Sequence, residues 1–546
     1  MALSLSTTEI IRQRPITGDL EAQPQWYASF SSLEVYEFKH AYGTYSTVSI
    51  NILDDYSLLN IFYLYRLAPF GEEEDYIVRL VQGKREWVGE QWWYRPAHVC
   101  RRWRGLILGS PSYLDLCLVC KNGTPVADML VHSPRLPLVI DYHEEDDNHD
   151  FTKKDKKGIV LALQCRDRVR RVRLCMPVPY LRKLIAAMDE EYPILEHLII
   201  ESTTESTNPH DTTASMFESL QAPHLRHLLL ADFSLSIRSR FLTTAGDLVT
   251  LCLFLDKSSK PNTLLQLVSF MPQLETLVIS FSSSSPNHIV ELQLSSIPIT
   301  THTVLPSLRW FSYQGVSAYL EALVGRLITP SLQQIQVDFF DQHTFPIPRL
   351  LQFINTTENL RFGVARLKFT DNGLVVTLYP HGAMTYAFGI NAHSPFFYEQ
   401  VSCIAQIFNE LIQVISAVEY LILEYEISPS HGGHFGADRT EWRQLLRTFS
   451  NVKTLRIDDW FATKFSCCFP LYDGERPLEL LPELHELEYT WSSNLDYGHT
   501  SFIDARQRIA RPVILIDSGS RPLKHSMPSP YRSATRYIHY PTHRGW

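Results

Sequence analysis

The residues of this chain that could do chemistry stand apart from one another and in incomplete sets. "HGGHFG" (431–436) has the glycines and histidines of an oxyanion-binding loop. Acyl transfer also needs a nucleophile, and no GxSxG elbow occurs to supply one; a glycine-rich loop between repeated units is the better reading. "CLVC" (117–120) is a lone CxxC on an expected strand. Zinc would need a second pair at suitable spacing, so two buried cysteines acting as small hydrophobes are expected. "HLRH" (224–227) sets His224 and His227 near a strand start without a third ligand close by, which predicts surface or half-buried histidines. Adjacent Cys467 and Cys468 also lack partners. GxGxxG after a strand, GxxxxGK[ST] and HExxH do not occur. No catalytic residue, metal site or cofactor is assigned.

Composition narrows the classes further. A chain of 546 residues, 45% hydrophobic and 20% charged, can bury a sizeable core as several domains or one long repeat array. A net charge of -9 argues against non-specific nucleic-acid binding, which needs concentrated positive charge. The basic run "RDRVRRVR" (166–173) reads as a solvated face. The first residues lack the apolar core of a secretory signal, and no apolar run approaches the ~18–20 residues of a membrane span. Nine cysteines without regular spacing fit reduced thiols, so the expected location is cytoplasmic or nuclear.

The elements that would position a site fall into a front part and a repeated part. Residues 1–47 read as an extension. "INILDDYSLLNIFYLYRL" (50–67) predicts a helix entered through Asp54 or Asp55, with Leu58, Leu59, Ile61, Phe62 and Tyr65 on its apolar side. An acidic insertion follows at 70–91. In "PAHVCRRWRGLILGSPSYL" (96–114), Val99, Cys100, Trp103, Leu106 and Ile107 share one helical face, and Gly109 and Pro111 stop the helix. Residues 119–165 form a connector containing a charged loop at 143–158.

From 166 to 516 the segment apolar-x-x-apolar-x-apolar recurs, as in "LEHLII" (195–200), "LRHLLL" (225–230), "LETLVI" (274–279), "VEYLIL" (418–423) and "VKTLRI" (452–457). Many copies follow a proline. Helical patterns at 178–191, 262–271 and 316–327 lie between them. Successive units start roughly 23 to 34 residues apart, with a longer gap before 418, near the span of leucine-rich repeats. Each unit supplies a strand and a helix that only stacking can bury, which predicts an α/β repeat solenoid with an exposed strand face. A non-repetitive α/β domain is the alternative. Residues 517–546 read as a tail.

Residues between the buried strand positions point the other way. Candidate contacts to a target protein are therefore His197, Ile199, His227, Leu229, Thr276, Val278, Gln334, Gln336, Tyr420, Ile422, Thr454 and Arg456.

The front part resembles a known family. "ILDDYSLLNIFYLYR" followed by "WWYRPAHVCRRWRGLILGSPSYLDLCLVC" is similar to an F-box, in particular that of the large F-box groups of mushroom-forming fungi. Leu58, Leu59, Ile61 and Phe62 match its first helix; Val99, Cys100, Arg101, Trp103, Ser110, Pro111 and Leu114 match its second part. The usual proline is absent, since Leu53 precedes Asp54, and the 70–91 insertion lengthens the linker. Segments 122–142 and 505–513 also look like that group's signatures.

The resemblance implies a small helical F-box over 48–118, followed by an irregular leucine-rich-repeat-like domain. It also implies a Skp-type adaptor held by Asp54, Leu58, Leu59, Ile61, Phe62, Val99, Cys100 and Trp103. A cullin scaffold would follow through the adaptor, and a protein target would sit on the repeats. Such a chain is a substrate-recognition subunit of a ubiquitin ligase and makes no bonds itself. The other expectations are helices that merely cap the solenoid, a repeat scaffold with a degenerate F-box, and a hydrolase or transferase hidden among the repeats.

Overall fold

Five of the proline-led approaches share one turn. In Tyr192–Leu195, Ala222–Leu225, Met271–Leu274, Leu305–Leu308 and Leu481–Leu484, proline is the second of four residues and the last N–H donates to the first carbonyl. Proline's fixed φ suits that position. Each turn ends on a leucine that is at most 1% exposed, and the strand follows directly. The turn thus sets the phase in which these five strands enter the sheet.

The computed structural model describes residues 52–67, 92–143, 152–203, 217–231, 240–255, 260–281, 302–339, 346–357, 359–370, 373–383, 385–393, 397–426, 439–457, 469, 476, 478–489 and 498–517. The chain divides into two units, Met1–Ile61 and Phe62–Trp546. The extension 1–47, the insertion 70–91, "HGGHFG", Cys467, Cys468 and residues 518–546 lie outside the described residues.

Among the described residues, three helices precede the first strand: α1 (Asp55–Leu67), α2 (Tyr94–Ala97) and α3 (Arg101–Gly109). The strands are β1 (Leu118–Lys121), β2 (Leu138–His143), β3 (Val169–Met176), β4 (His197–Ser202), β5 (His227–Ala231), β6 (Thr250–Leu255), β7 (Thr276–Phe281), β8 (Thr303–Val304) and β9 (Trp310–Gly315). They continue as β10 (Leu327–Ile328), β11 (Gln334–Phe339), β12 (Val364–Thr370), β13 (Gly373–Tyr379), β14 (Phe388–His393), β15 (Tyr420–Glu426), β16 (Thr454–Ile457), β17 (Glu486–Tyr489) and β18 (Ile514–Asp517). All but β8 and β10 join one 16-stranded sheet. Helices between strands include α4 (Val126–His132), α5 (Lys153–Gln164), α6 (Val178–Ala186), α7 (Arg240–Thr244), α8 (Pro261–Val268), α9 (Ser317–Val324), α10 (Pro348–Thr356) and α11 (Phe397–Glu410). This is a repeat-like, mostly parallel α/β sheet.

Two matched rows form the core. Leu198, Leu228, Leu251, Leu277 and Phe311 stand in register, and so do Ile200, Leu230, Leu253, Ile279 and Tyr313. Every one is at most 1% exposed. The opposite face has two halves. From β4 to β7 the strands carry unbroken apolar runs, and Ile199, Leu229, Cys252 and Val278 make a second buried cluster. Further on, β11, β12 and β16 alternate, as in "QIQVDF" and "TLRI", and their residues between core positions are half-buried. Unbroken runs mark strands buried on both faces, whereas alternation marks one open face. The expectation of one exposed strand face therefore holds only for part of the second half; Ile199, Leu229 and Val278 are buried, and on β15 Ile422 is only 9% exposed.

Four further expectations change. The sheet begins at β1 and β2, inside the expected connector. The lysine-rich end of the 143–158 loop is the start of α5, because Thr152 and Asp155 close a capping box around its N-terminus. The basic run is not a solvated face. Arg173 is fully buried, Arg168 Nε donates to the Leu136 carbonyl at 3.0 Å, and Arg170 Nε reaches Glu196 at 2.8 Å.

The gap before 418 is filled by β12, β13 and β14. They form an antiparallel meander inserted between β11 and β15, with β14 beside β11 and β12 beside β15. Gly373 opens β13 where an added Cβ would come within 2.3 Å of the Ala392 carbonyl oxygen, so no side chain fits there.

Candidate partner-binding surfaces

α1 begins where its sequence provides a cap. The Asp54 carboxylate accepts the Ser57 backbone N–H at 2.8 Å and the Ser57 hydroxyl at 2.9 Å. These bonds, the backbone one first, hold the Asp54 carboxyl below its usual range. Asp54 is exposed, so the cap stands in water. Along the helix Leu58 and Phe62, four apart, are at most 2% exposed. Ile61, Leu64 and Tyr65 are 45%, 56% and 52% exposed.

The 96–114 segment differs from its expected single helix. α2 is one turn, and Val99 and Cys100 lie before α3 rather than on it. Cys100 is the N-cap of α3, its Sγ accepting the Trp103 N–H at 3.4 Å. Trp103 meets Phe62 edge to face, with ring centres 5.0 Å apart. Tyr63 lies against Tyr113 at 5.6 Å, and Tyr65 against Trp92 at 6.1 Å. The helix ends at Gly109, as expected.

Asp115 joins Arg66, in the last turn of α1, to β3. Its carboxylate pairs with Arg66 at 2.7 Å and also with Arg170. Burial pushes the Asp115 carboxyl up, but Arg170 and Arg66 together bring it below its ordinary value.

Of the residues expected to hold an adaptor, Asp54, Ile61, Val99 and Cys100 are exposed, Leu59 and Trp103 are half-buried, and Leu58 and Phe62 are buried. The last two hold structure together and offer a partner nothing. Val99 is 61% exposed, against 45% for Ile61. Sequence reasoning passed over Leu64, because helical periodicity alone does not say how wide the covered stripe will be, and Tyr113, which lies in the turn after α3.

On the open half of the sheet face, side chains pair across strands. Arg366 reaches Glu424 at 2.6 and 2.9 Å, Lys368 pairs with Glu426, and the Tyr420 hydroxyl donates to Glu488 at 2.8 Å. Thr454 donates to Glu486 at 3.3 Å, and Tyr386 to the Gln336 side chain at 2.9 Å. Gln334, Gln336, Tyr420, Thr454 and Arg456 are all half-buried there, as is Thr276 on β7. His197 and His227 stand side by side on the same face of β4 and β5.

Cys117 and Cys120 are buried, and burial pushes the Cys120 thiol up to about 12. Among the described residues no group of three or more His, Cys, Asp or Glu could hold a metal. Nor is any described helix long and apolar enough to cross a membrane.

No family model matches the chain, and no curated protein matches it. The leucine-rich repeat-containing protein LegL7 of Legionella pneumophila is a structural neighbour at 13% identity and a TM-score of 0.24, over 57% of this chain and 90% of that one. A likeness at that score carries no argument. The repeat-like reading rests on the sheet and its turns.

Proposed function

We propose that this chain is a non-catalytic substrate-recognition subunit of a Skp–cullin–F-box ubiquitin ligase. The region around α1 and α3 holds a Skp-type adaptor, and the open half of the sheet face holds a target protein. The gain comes from effective concentration, since a target tethered near a conjugating enzyme reacts without help from a catalytic residue here.

One observation carries the reading. In the stretches that resemble an F-box, Val99, Leu64 and Tyr65 are each more than half exposed. Large apolar and aromatic side chains left open in this way are the usual material of protein interfaces.

Capture of the chain on an immobilised Skp-type adaptor tests the proposal. Wild type is retained, whereas Val99→Asp and Leu64→Asp are lost with unchanged circular dichroism, because a charge buried in the interface without a partner is costly. Retention of both variants would refute it. The burial of Leu58 and Phe62 favours a second reading, a repeat scaffold whose F-box-like start takes no adaptor. Failure of wild type to bind would leave that one.

A further inference from the structure

One row of core residues runs in register through every strand of the 16-stranded sheet, from Cys120 on β1 to Leu515 on β18. Its members from Cys120 to Leu487 are at most 1% exposed, whereas Leu515 is 40% exposed. The two ends of the row differ in their cover. Just before β1 the Trp93 indole donates to the Cys117 carbonyl at 3.1 Å, and Leu114 and Leu116 are buried. At the far end, no strand among the described residues pairs with the outer edge of β18.

That edge offers three kinds of contact. The Ile514 N–H donates to the His485 carbonyl at 2.8 Å. Alternate residues of a strand bond to the same side, so the Leu515 N–H points away from β17. Ile514 itself is 60% exposed. Glu486 and Glu488 are the register partners of Ile514 and Ile516. Both carboxylates are half-buried and accept from hydroxyls, of Thr454 at 3.3 Å and Tyr420 at 2.8 Å, with Arg456 in register beside Glu488. Arg511, just before the strand, is taken by Glu483 at 3.7 Å.

The sequence that follows has the complementary chemistry. Residues 518–546 hold five Lys or Arg and none of the chain's 59 Asp and Glu. Their apolar residues gather in "RYIHY" (536–540), and Tyr537 follows Ile514 by 23 residues, a spacing of the repeated units. The connection 518–535 is longer than the dozen or so residues a parallel crossover needs.

We propose that "RYIHY" pairs with the outer edge of β18 and caps the sheet, covering Leu515 and Ile514 and answering Glu486 and Glu488 with arginine. Repeat arrays need such caps, because the last unit has no successor to bury its apolar face. An open edge is otherwise a template for another chain. A segment tethered to β18 itself competes at an effective concentration on the order of millimolar, which favours it over a second copy. The proposal is independent of what α1, α3 and the open sheet face bind.

Hydrogen exchange of the full chain, resolved to single amides, tests the cap. In wild type the Leu515 amide should exchange at least about a hundredfold more slowly than an unstructured amide. Tyr537→Asp combined with Ile538→Asp sets two charges in the apolar contact. It should speed that amide at least about tenfold, while amides of β15 and β16 keep their rates. Glu486→Gln combined with Glu488→Gln should speed it several-fold, as should raising salt from about 0.05 to about 0.5 M. An unprotected Leu515 amide in wild type, or equal protection in wild type and the Tyr537–Ile538 variant, would overturn the cap. Protection that falls on dilution would also overturn it and assign the edge to a second copy.

Discussion

Ile199 is the residue at which an open and a closed sheet face differ most. It is 3% exposed on the face opposite the leucine rows, between Arg173 of β3 and Leu229 of β5. Replacing it by alanine removes three carbons, which at about 0.8 kcal/mol each gives about 2.4 kcal/mol of lost burial. The cavity left behind raises the cost to about 3–4 kcal/mol. Thr276→Ala, at a half-buried position on the same face, should cost less than about 1 kcal/mol. Urea unfolding of both variants against wild type measures the difference, with the slope checked for constancy so that midpoints report stability. An Ile199→Ala shift as small as that of Thr276→Ala would refute the two-sided burial of β4 to β7. Ile199 would then return to the exposed surface that simple alternation assigns it.

Two other ion pairs give measurable consequences. Arg173 is fully buried with its Nη1 3.9 Å from Asp141, so Asp141→Ala should cost about 3–5 kcal/mol by removing an acidic partner of that buried charge. Arg173→Met combined with Asp141→Leu should recover most of the loss, and a double-mutant cycle with no coupling would refute the pairing. For Asp115 the folded carboxyl lies below its ordinary value, so its contribution is present above about pH 4 and fades as pH falls through the folded value. Asp115→Asn, which tolerates the φ of 50° there, should melt below wild type at neutral pH and converge with it on acidification. A gap that stays constant with pH would contradict the assignment.

Much of this fold was legible because proline turns and buried leucines recur together. The phase read from "LEHLII" or "LETLVI" puts Leu198, Ile200, Leu277 and Ile279 in the core, where they are. β9 went unread although Leu308, Phe311 and Tyr313 keep the same spacing, because aromatic residues stand where leucine was sought. The meander carries its own signal, an Asn372-Gly373 pair between two apolar runs, which is the strongest short-range mark of a hairpin. What periodicity could not supply was the covering of the second sheet face. The unbroken "LII", "LLL" and "LVI" runs record it, but only against the alternating strands further on does their meaning show. At the front, Asp54 and the end of α3 were readable from capping chemistry. The break before Cys100 was not, since its neighbours fit a helical face equally well.

Hydrogen exchange of the full chain, with and without a Skp-type adaptor, tests the recruiting role most directly. Protection confined to amides of α1 and residues 99–109, with the sheet unchanged, is the predicted result. A complex that forms yet protects only the sheet, or no protection at all at saturating adaptor, would contradict it.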